Sequence, residues 1–161
     1  PFAALRADFG GIHIHKNANV QDSCIIHGFP NSITIVEEYG HIGHGAILHG
    51  CLIRKNVLIG MNSVILDEAE IGENSIIGAN STVKAKARIP ENSLALGSPA
   101  RVIRSLAENE IAWKTKGTEE YIQLTARCLN SMHEVEPLSE NSTERLTYKH
   151  FASQHVIKSN R

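Results

Sequence analysis

The sequence has little net charge, no long apolar runs and few cysteines, and each of these absences excludes a class of protein. Sixteen basic residues balance seventeen acidic ones, for a net charge of −1, so nothing marks a binding face for nucleic acid or an anionic membrane. The apolar runs are too short to span a bilayer. Three cysteines without a CxxC pair favour a reducing compartment, and we expect a cytoplasmic protein.

The length and the first residues set expectations for the domain. A chain of 161 residues can bury one hydrophobic core of its own. It opens with Pro1-Phe2-Ala3-Ala4, without an initiator methionine or a capping signal. We therefore expect the chain to be the remainder of a longer protein, with the first coils of the fold missing.

Aliphatic residues recur at every sixth position along the middle of the chain. Seven in succession share this spacing: Ile53, Ile59, Ile65, Ile71, Ile77, Val83 and Ile89. Small residues follow four positions after most of them: Ser63, Ala69, Ser75, Ser81, Ala87 and Ser93. The same pattern occurs earlier, with Cys24 in a small position, and we interpret a five-residue slip from Ile42 to Ile47.

A period of six is typical of neither an α-helix nor an alternating strand. It predicts short strands joined by corners, three to a triangular coil, with every sixth aliphatic residue pointing inward. Stacked coils form a parallel β-helix, which we assign to residues 1–98, and the fold class is mainly β. The spacing leaves the handedness open, and the general rule for parallel crossovers is right-handed.

The residues after 98 predict helices. Ser105-Leu106-Ala107-Glu108 has the pattern of a capping box, and Thr118 can cap a second helix. Apolar residues at spacings of three and four then form one helix face: Tyr121, Leu124, Cys128, Met132 and Val135. We expect a helical segment at 99–136 that packs on the β-helix of its own subunit or a neighbour, and a loosely held polar tail at 137–161.

Three histidines, His27, His44 and His49, lie in the repeat. His44 follows Ile42 by two positions and His49 follows Ile47 by two, so we expect equivalent places near successive corners of the prism. Such groups are poorly placed to bind one ion within a monomer, whereas a cyclic trimer can bring one prism's corner against its neighbour's. The pattern predicts a metal site shared between subunits. The alternative is three unrelated surface histidines.

The chemistry of three neutral imidazoles favours zinc. They are a common ligand set for a catalytic zinc ion that keeps a fourth position for water, and iron or cobalt could bind the same set. Such a site lowers the pKa of bound water to about 7 and supplies hydroxide at neutral pH. Cys24, Cys51 and Cys128 are expected to pack rather than to act as nucleophiles.

Several blocks of the sequence resemble the γ-class carbonic anhydrase family of hexapeptide-repeat proteins. They are Leu5-Arg6-Ala7-Asp8, Asn19-Val20-Gln21-Asp22, Ile26-His27-Gly28 and the run from Gly40 to Cys51. Gly97-Ser98-Pro99-Ala100-Arg101 and the later Trp113-Lys114 resemble the branch of the phenylacetic acid degradation protein PaaY and the carnitine operon protein CaiE. The resemblance covers residues 1 to about 138.

The resemblance implies a left-handed β-helix that forms a homotrimer, with a C-terminal helix on each subunit. It implies that His27 and His49 of one subunit and His44 of the next bind the metal.

It also implies roles for four further residues near that metal. Arg6 and Asp8 would form an ion pair near the subunit interface, Gln21 would orient the metal-bound water, and Asp22 would hold the local hydrogen-bond network.

Two departures from the family pattern bear on activity. Phe9 stands where anhydrase-active relatives carry a glutamate, and no acidic proton-shuttling loop is recognisable after His27. Fast CO2 hydration needs proton transfer away from the metal-bound water. The departures therefore favour a thioester substrate over CO2.

Three classes of function remain open. The first is a metal-dependent hydrolase or hydratase that acts on an acyl-CoA thioester, as the PaaY branch implies, or on CO2 and bicarbonate. The second is a CoA-dependent acyltransferase, which needs one general-base histidine rather than three at a metal. The third is a non-enzymatic accessory protein on the same scaffold.

Overall fold

The computed structural model describes residues 1–137. Residues Pro1–Ser131 form one compact unit, to which the following description refers. The unit is the predicted left-handed parallel β-helix followed by α-helical structure. The tail predicted at 137–161 lies outside the described residues from position 138 onward.

Three sheets form the sides of the triangular prism. Sheet A contains β1 (Ala4–Leu5), β4 (Ile25–His27), β7 (Ile47–His49), β10 (Val64–Ile65) and β13 (Thr82–Val83). Sheet B contains β2 (Gly11–Ile14), β5 (Ile33–Val36), β8 (Leu52–Ile53), β11 (Glu70–Ile71) and β14 (Arg88–Ile89). Sheet C contains β3 (Asn19–Val20), β6 (His41–Ile42), β9 (Leu58–Ile59), β12 (Ile76–Ile77), β15 (Ser93–Gly97) and β16 (Ala100–Ser105).

The aliphatic residues at every sixth position fill the prism, as predicted. Ile53, Ile59, Ile65, Ile71 and Ile77 are fully buried. Burial of each such side chain stabilises the fold by roughly 1.5–3 kcal/mol. One continuous aliphatic column therefore stabilises the stack of coils. The side chains on the outer faces do not contribute to this column.

The predicted slip from Ile42 to Ile47 is wrong by one residue. Leu48 is the fully buried residue of β7 and pairs with Ile26 and Ile65, whereas Ile47 is only half-buried. The six-residue step thus continues from Ile42 to Leu48, and the short step follows Leu48. Both neighbours are aliphatic, so only pairing with the adjacent coils could decide which one points inward.

Asparagines turn one corner of the prism in successive coils. Asn56, Asn74 and Asn92 have φ angles of 55°, 59° and 52°, in the left-handed region that asparagine tolerates better than most residues. Asn56 Nδ2 donates to Asn74 Oδ1 at 2.9 Å, and Asn74 Nδ2 donates to Asn92 Oδ1 at 3.0 Å. This ladder joins three coils at the corner between sheets B and C.

The segment at 99–136 is not wholly helical, contrary to the prediction. β16 returns along β15 as an antiparallel strand, and a single helix, α1 (Glu108–Ser131), follows. Ser105 ends β16, so the predicted capping box is wrong. Instead the Ala107 N–H donates to the Glu110 side chain at 2.9 Å. The first helical turn is therefore capped by a pair that lies two residues after the predicted one.

The predicted second helix capped by Thr118 is also wrong, because α1 continues through Gly117. Lys114 and Thr118 are both buried. Packing of these side chains against the β-helix holds the turn that contains Gly117 and outweighs the low helix propensity of glycine, about 1 kcal/mol.

Only part of the predicted apolar helix face is covered. The Tyr121 ring lies edge-on to His41, with ring centroids 5.1 Å apart. Leu124 is exposed, and Met132 and Val135 lie beyond the end of α1 and are exposed as well. The apolar spacing therefore overestimated the length of the helix.

Candidate metal centre

His27 and His49 stand side by side on the outer face of sheet A. Each directly follows the inward residue of its strand, Ile26 in β4 and Leu48 in β7, and the two histidines pair in register. His27 Nδ1 lies 3.2 Å from His49 Nε2, with ring centroids 5.2 Å apart. The structure therefore brings together two of the three predicted ligands within one chain.

Two carboxylates hold the outer nitrogens of this pair. Asp8 Oδ1 accepts from His27 Nε2 at 2.8 Å, and Asp67 Oδ1 accepts from His49 Nδ1 at 2.6 Å. In the tautomer in which each carboxylate accepts an N–H, a neutral imidazole keeps its lone pair on the other nitrogen, which is Nδ1 of His27 and Nε2 of His49. Lone pairs at that distance repel unless a proton or a metal cation lies between them.

The predicted Arg6–Asp8 ion pair is present within the chain. Desolvation raises the pKa of Asp8, but the hydrogen bonds from His27 and Arg6 outweigh it and hold the pKa below its ordinary value. Asp8 therefore stays ionised as the acceptor for His27. Both residues of the ion pair are exposed, so the pair contributes little stability by itself.

Asp67 was missed by the sequence analysis. It lies one coil after His49 in the stack, and the separation of 18 residues between them equals three hexapeptides. A search for polar residues one coil from each histidine would have found it. Carboxylates that accept from the outer nitrogen of a ligating histidine fix its tautomer and ring orientation.

The separation of the two facing nitrogens fits a tetrahedral ion. Two nitrogen ligands at 2.0–2.1 Å from a tetrahedral zinc ion lie about 3.3 Å apart, and the observed separation is 3.2 Å. The separation is compatible with two nitrogen ligands of one ion and equally with an N–H···N hydrogen bond between the two rings.

His44 lies at the other edge of sheet A. It precedes β7, whereas His27 and His49 end their strands, so the prediction that His44 and His49 occupy equivalent places is wrong. His44 Nδ1 lies 3.2 Å from Asp22 Oδ2. Within residues 1–137, no three side chains of histidine, cysteine, aspartate or glutamate are placed to hold one metal ion.

Gln21 lies beside Asp22, on the His44 edge. Its side chain is buried, and its Nε2 lies 2.7 Å from His41 Nε2 and 3.4 Å from Asn19 Oδ1. The predicted site residues therefore fall into two groups at the two edges of sheet A. The first contains Arg6, Asp8, His27 and His49; the second contains Gln21, Asp22 and His44.

Two phenylalanines flank the histidine pair. Phe9 contacts His27 with ring centroids 5.9 Å apart, and Phe29 contacts His49 at 4.8 Å, both edge-on. Their exposed fractions are 61% and 59%. Large apolar side chains are thus exposed on either side of the candidate metal position.

Two of the three cysteines pack in the core, and Cys128 is half-buried on α1. Cys24 and Cys51 are buried in the core, and burial raises the pKa of the Cys51 thiol to about 12, which opposes formation of a nucleophilic thiolate.

Among the described residues, no helix is long and apolar enough to cross a membrane.

Comparison with known proteins finds similar sequences and similar structures. The family model for bacterial transferase hexapeptide (six repeats) matches residues 50–85. The carnitine operon protein CaiE of Escherichia coli K12 is 50% identical over 145 residues, which are 90% of this chain and 74% of that protein.

Two solved structures share the fold at higher than 30% identity. A hexapeptide transferase family protein from Anaplasma phagocytophilum is 31% identical with a TM-score of 0.75, over 78% of this chain and 74% of that one. A putative acetyltransferase from Bacillus cereus is 34% identical with a TM-score of 0.73, over 81% of this chain and 87% of that one.

Proposed function

This chain belongs to the γ-class carbonic anhydrase-like hexapeptide-repeat family that includes CaiE, and on that premise we propose that it is a metal-dependent hydrolase of acyl-CoA thioesters. The metal is held by His27 and His49 of one subunit and His44 of a neighbouring subunit in a homotrimer. The observation that supports the proposal is the pair of facing ring nitrogens on His27 and His49, with a carboxylate bound to the outer nitrogen of each ring.

The position of His44 supports the shared site. The outer face of sheet A lies between the two groups of site residues and is apolar: Ile25 is 47% exposed, and Ile47 and Val64 are half-buried. An exposed apolar face of this kind is suited to self-association. A threefold axis facing sheet A brings each subunit's His44 edge against its neighbour's His27 and His49 edge.

Zinc suits three neutral imidazoles, and iron or cobalt could replace it. When bound, the metal would supply Lewis-acid activation of a water molecule and of the thioester carbonyl group. Asp8 and Asp67 hold the two imidazoles in the ligating tautomer. The subunit that contributes His44 also contributes Gln21 and Asp22 to the site. The net reaction adds water across the C–S bond of the thioester and releases a carboxylic acid and the free thiol of CoA.

The two phenylalanines support an acyl substrate over CO2. Phe9 and Phe29 offer apolar contact to an acyl chain beside the histidine pair. Phe9 also occupies the place where a carboxylate would carry protons in the anhydrases that the chain resembles. Proton transfer away from the site is required for fast CO2 hydration, so the exchange weakens the case for that reaction.

Metal content tests the site directly. We expect about one zinc or iron ion per subunit in the purified protein, lost in His44→Ala and retained in His15→Ala, whose histidine is exposed on another part of the β-helix. Elemental analysis across the size-exclusion peak measures it. A well-folded protein without metal, even after reconstitution, would rule out the proposal.

Substrate choice is tested with the metal-loaded protein. Hydrolysis of a set of acyl-CoA thioesters is compared with CO2 hydration, for wild type and Phe9→Glu. We expect thioester turnover in wild type, weakened in Phe9→Glu because the apolar wall is lost. CO2 hydration without thioester turnover would replace the proposed substrate with CO2.

An acyltransferase is the second candidate, because structures similar to this chain include a hexapeptide transferase and a putative acetyltransferase. Such a transferase needs a general-base histidine rather than a metal. Acetyl transfer from acetyl-CoA to a hydroxyl or amine acceptor that survives complete chelation would favour it. Absence of both activities in the metal-loaded trimer would favour an accessory protein.

A further inference from the structure

His41 is half-buried between the β-helix and α1, close to the second group of site residues. It lies on β6 with its ring facing outward, where the Tyr121 ring covers it edge-on. Its Nδ1 is 3.4 Å from Thr118 Oγ1, and its Nε2 is 2.7 Å from Gln21 Nε2. Both ring nitrogens therefore have polar neighbours, one on α1 and one on the residue predicted to face the metal.

The surroundings keep His41 neutral. Burial lowers its pKa to about 4, and the positive charge of Lys114 acts in the same direction. A neutral imidazole has one N–H and one bare nitrogen, and an amide has both donors and an acceptor. One hydrogen bond therefore forms between His41 and Gln21 whichever way the amide is turned.

The bond matters because Gln21 is otherwise weakly held. The other hydrogen-bond contact found for its side chain among residues 1–137 is the 3.4 Å approach to Asn19 Oδ1, at the long end of useful distances. A glutamine side chain has three rotatable bonds and loses considerable rotamer freedom when fixed. The contact with His41 is the strong one that selects a single orientation.

We propose that His41 is a positioning residue, which couples the docking of α1 to the orientation of the Gln21 amide at the metal site. Thr118 and Tyr121 fix the ring, and the ring fixes the amide next to Asp22 and His44. The inference rests on the proposed function for the role of Gln21, while the His41–Gln21 contact stands apart from it. Residues that orient site groups in this way typically change activity 10–100-fold when removed.

The test compares His41→Phe, which keeps a ring but offers no hydrogen bond, with His41→Gln, which restores one. In His41→Phe we expect kcat to fall about tenfold with KM within about twofold and metal content unchanged. His41→Gln should recover most of the loss. The double variant Gln21→Ala/His41→Phe should match Gln21→Ala alone, because the two residues act as one unit.

Lys114→Met is the matched control for loosening of α1. Lys114 fastens the helix through Tyr39 O and Asn56 Oδ1 and does not contact Gln21. If His41→Phe acted only by loosening the helix, Lys114→Met would lower kcat by the same factor, which would overturn the proposal. Additive losses in the double variant would overturn it as well.

A crystal structure of the metal-free His41→Phe protein gives a readout independent of turnover. We expect the Gln21 side chain to leave its wild-type rotamer in this variant and to keep it in His41→Gln and Lys114→Met. An unmoved Gln21 in His41→Phe would overturn the proposal. If the wild-type protein binds no metal, the proposed function fails. The movement of the Gln21 side chain in His41→Phe then still tests whether His41 positions Gln21.

Discussion

At the scale of a single residue, Gly50 leaves space for the contact between Asp67 and His49. It turns the corner after His49 with φ +56°, and a Cβ built on it would lie 2.6 Å from Asp67 Oδ1. Glycine suits this position because a Cβ would crowd the Asp67 carboxylate that contacts His49 and because glycine adopts the left-handed conformation without steric cost. The short step of the repeat, from Leu48 to Ile53, thus contains the glycine that leaves room for the contact between Asp67 and His49.

Replacement of Gly50 by alanine should displace Asp67 and release the His49 ring. We expect Gly50→Ala to weaken metal binding about tenfold or more, since Asp67 can no longer fix the tautomer of His49, and to lower the melting temperature. Gly117→Ala is the control, because nothing lies within 4 Å of a Cβ there, and it should stabilise the helix by about 1 kcal/mol. Metal competition with a chromogenic chelator and thermal unfolding measure both variants.

Asp67 itself gives a second prediction at this scale. Asp67→Asn keeps the shape but offers a weaker acceptor to His49 Nδ1, or a donor that favours the wrong tautomer. We expect metal affinity to fall 10–100-fold with no change in oligomeric state. Unchanged affinity in the asparagine variant would mean that His49 does not ligate through Nε2.

At the scale of the element, α1 is attached to the β-helix by buried polar contacts. The Lys114 ammonium donates to Tyr39 O and to Asn56 Oδ1, both at 2.7 Å, and Asn56 Nδ2 donates to Thr115 Oγ1 at 2.9 Å. These contacts connect the helix to the asparagine ladder and so to three successive coils. Burial of the ammonium opposes its charge and lowers the pKa of Lys114 from 10.5 to about 7.

This pKa gives the stability of the protein a pH dependence of definite sign. Between about pH 7 and 10.5 the unfolded chain binds the lysine proton more tightly than the folded chain does, so this residue's contribution to the free energy of unfolding rises with pH. We expect the difference in unfolding free energy between wild type and Lys114→Met to grow in favour of wild type by at most about 1.4 kcal/mol per pH unit. Urea unfolding at several pH values measures it. A flat difference would show that the lysine stays charged when buried.

At the scale of the whole molecule, the proposed site exists only in the assembly. One subunit supplies two nitrogens at the separation a tetrahedral ion needs, and the third predicted ligand lies across sheet A. The apolar outer face of sheet A separates the two groups and is the surface we expect at the threefold axis. Metal binding and trimer formation should therefore be coupled.

A charged side chain on the outer face of sheet A should prevent both metal binding and trimer formation. We expect Ile25→Glu to dissociate the trimer and lose the metal while the aliphatic core, and with it the β-helix, stays folded. Ile103→Glu is the control, since Ile103 is also exposed but lies on β16. Sedimentation velocity with metal analysis distinguishes them. An intact, metal-loaded trimer of Ile25→Glu would contradict this placement of the interface.

The hexapeptide spacing is enough to predict the coils of the β-helix and most of its core, because the spacing is a local pattern that repeats every six residues. The sequence also marked His27, His44 and His49 as the residues of interest. Tertiary structure decided which of them meet. The choice between Ile47 and Leu48 as the inward residue depends on pairing one coil away, and that choice places His49 beside His27 and separates both from His44.

Tertiary structure also decided the C-terminal segment. The motif at Ser105 and the glycine at 117 predicted helix boundaries from local propensity, whereas strand pairing of β16 and the burial of Lys114 and Thr118 outweighed both. Asp67 and His41 belong to the same class, since each acquires its role through a contact with a residue about one coil away. Sequence periodicity fixes the shape of a coil, but the contacts between coils and with α1 determine the site.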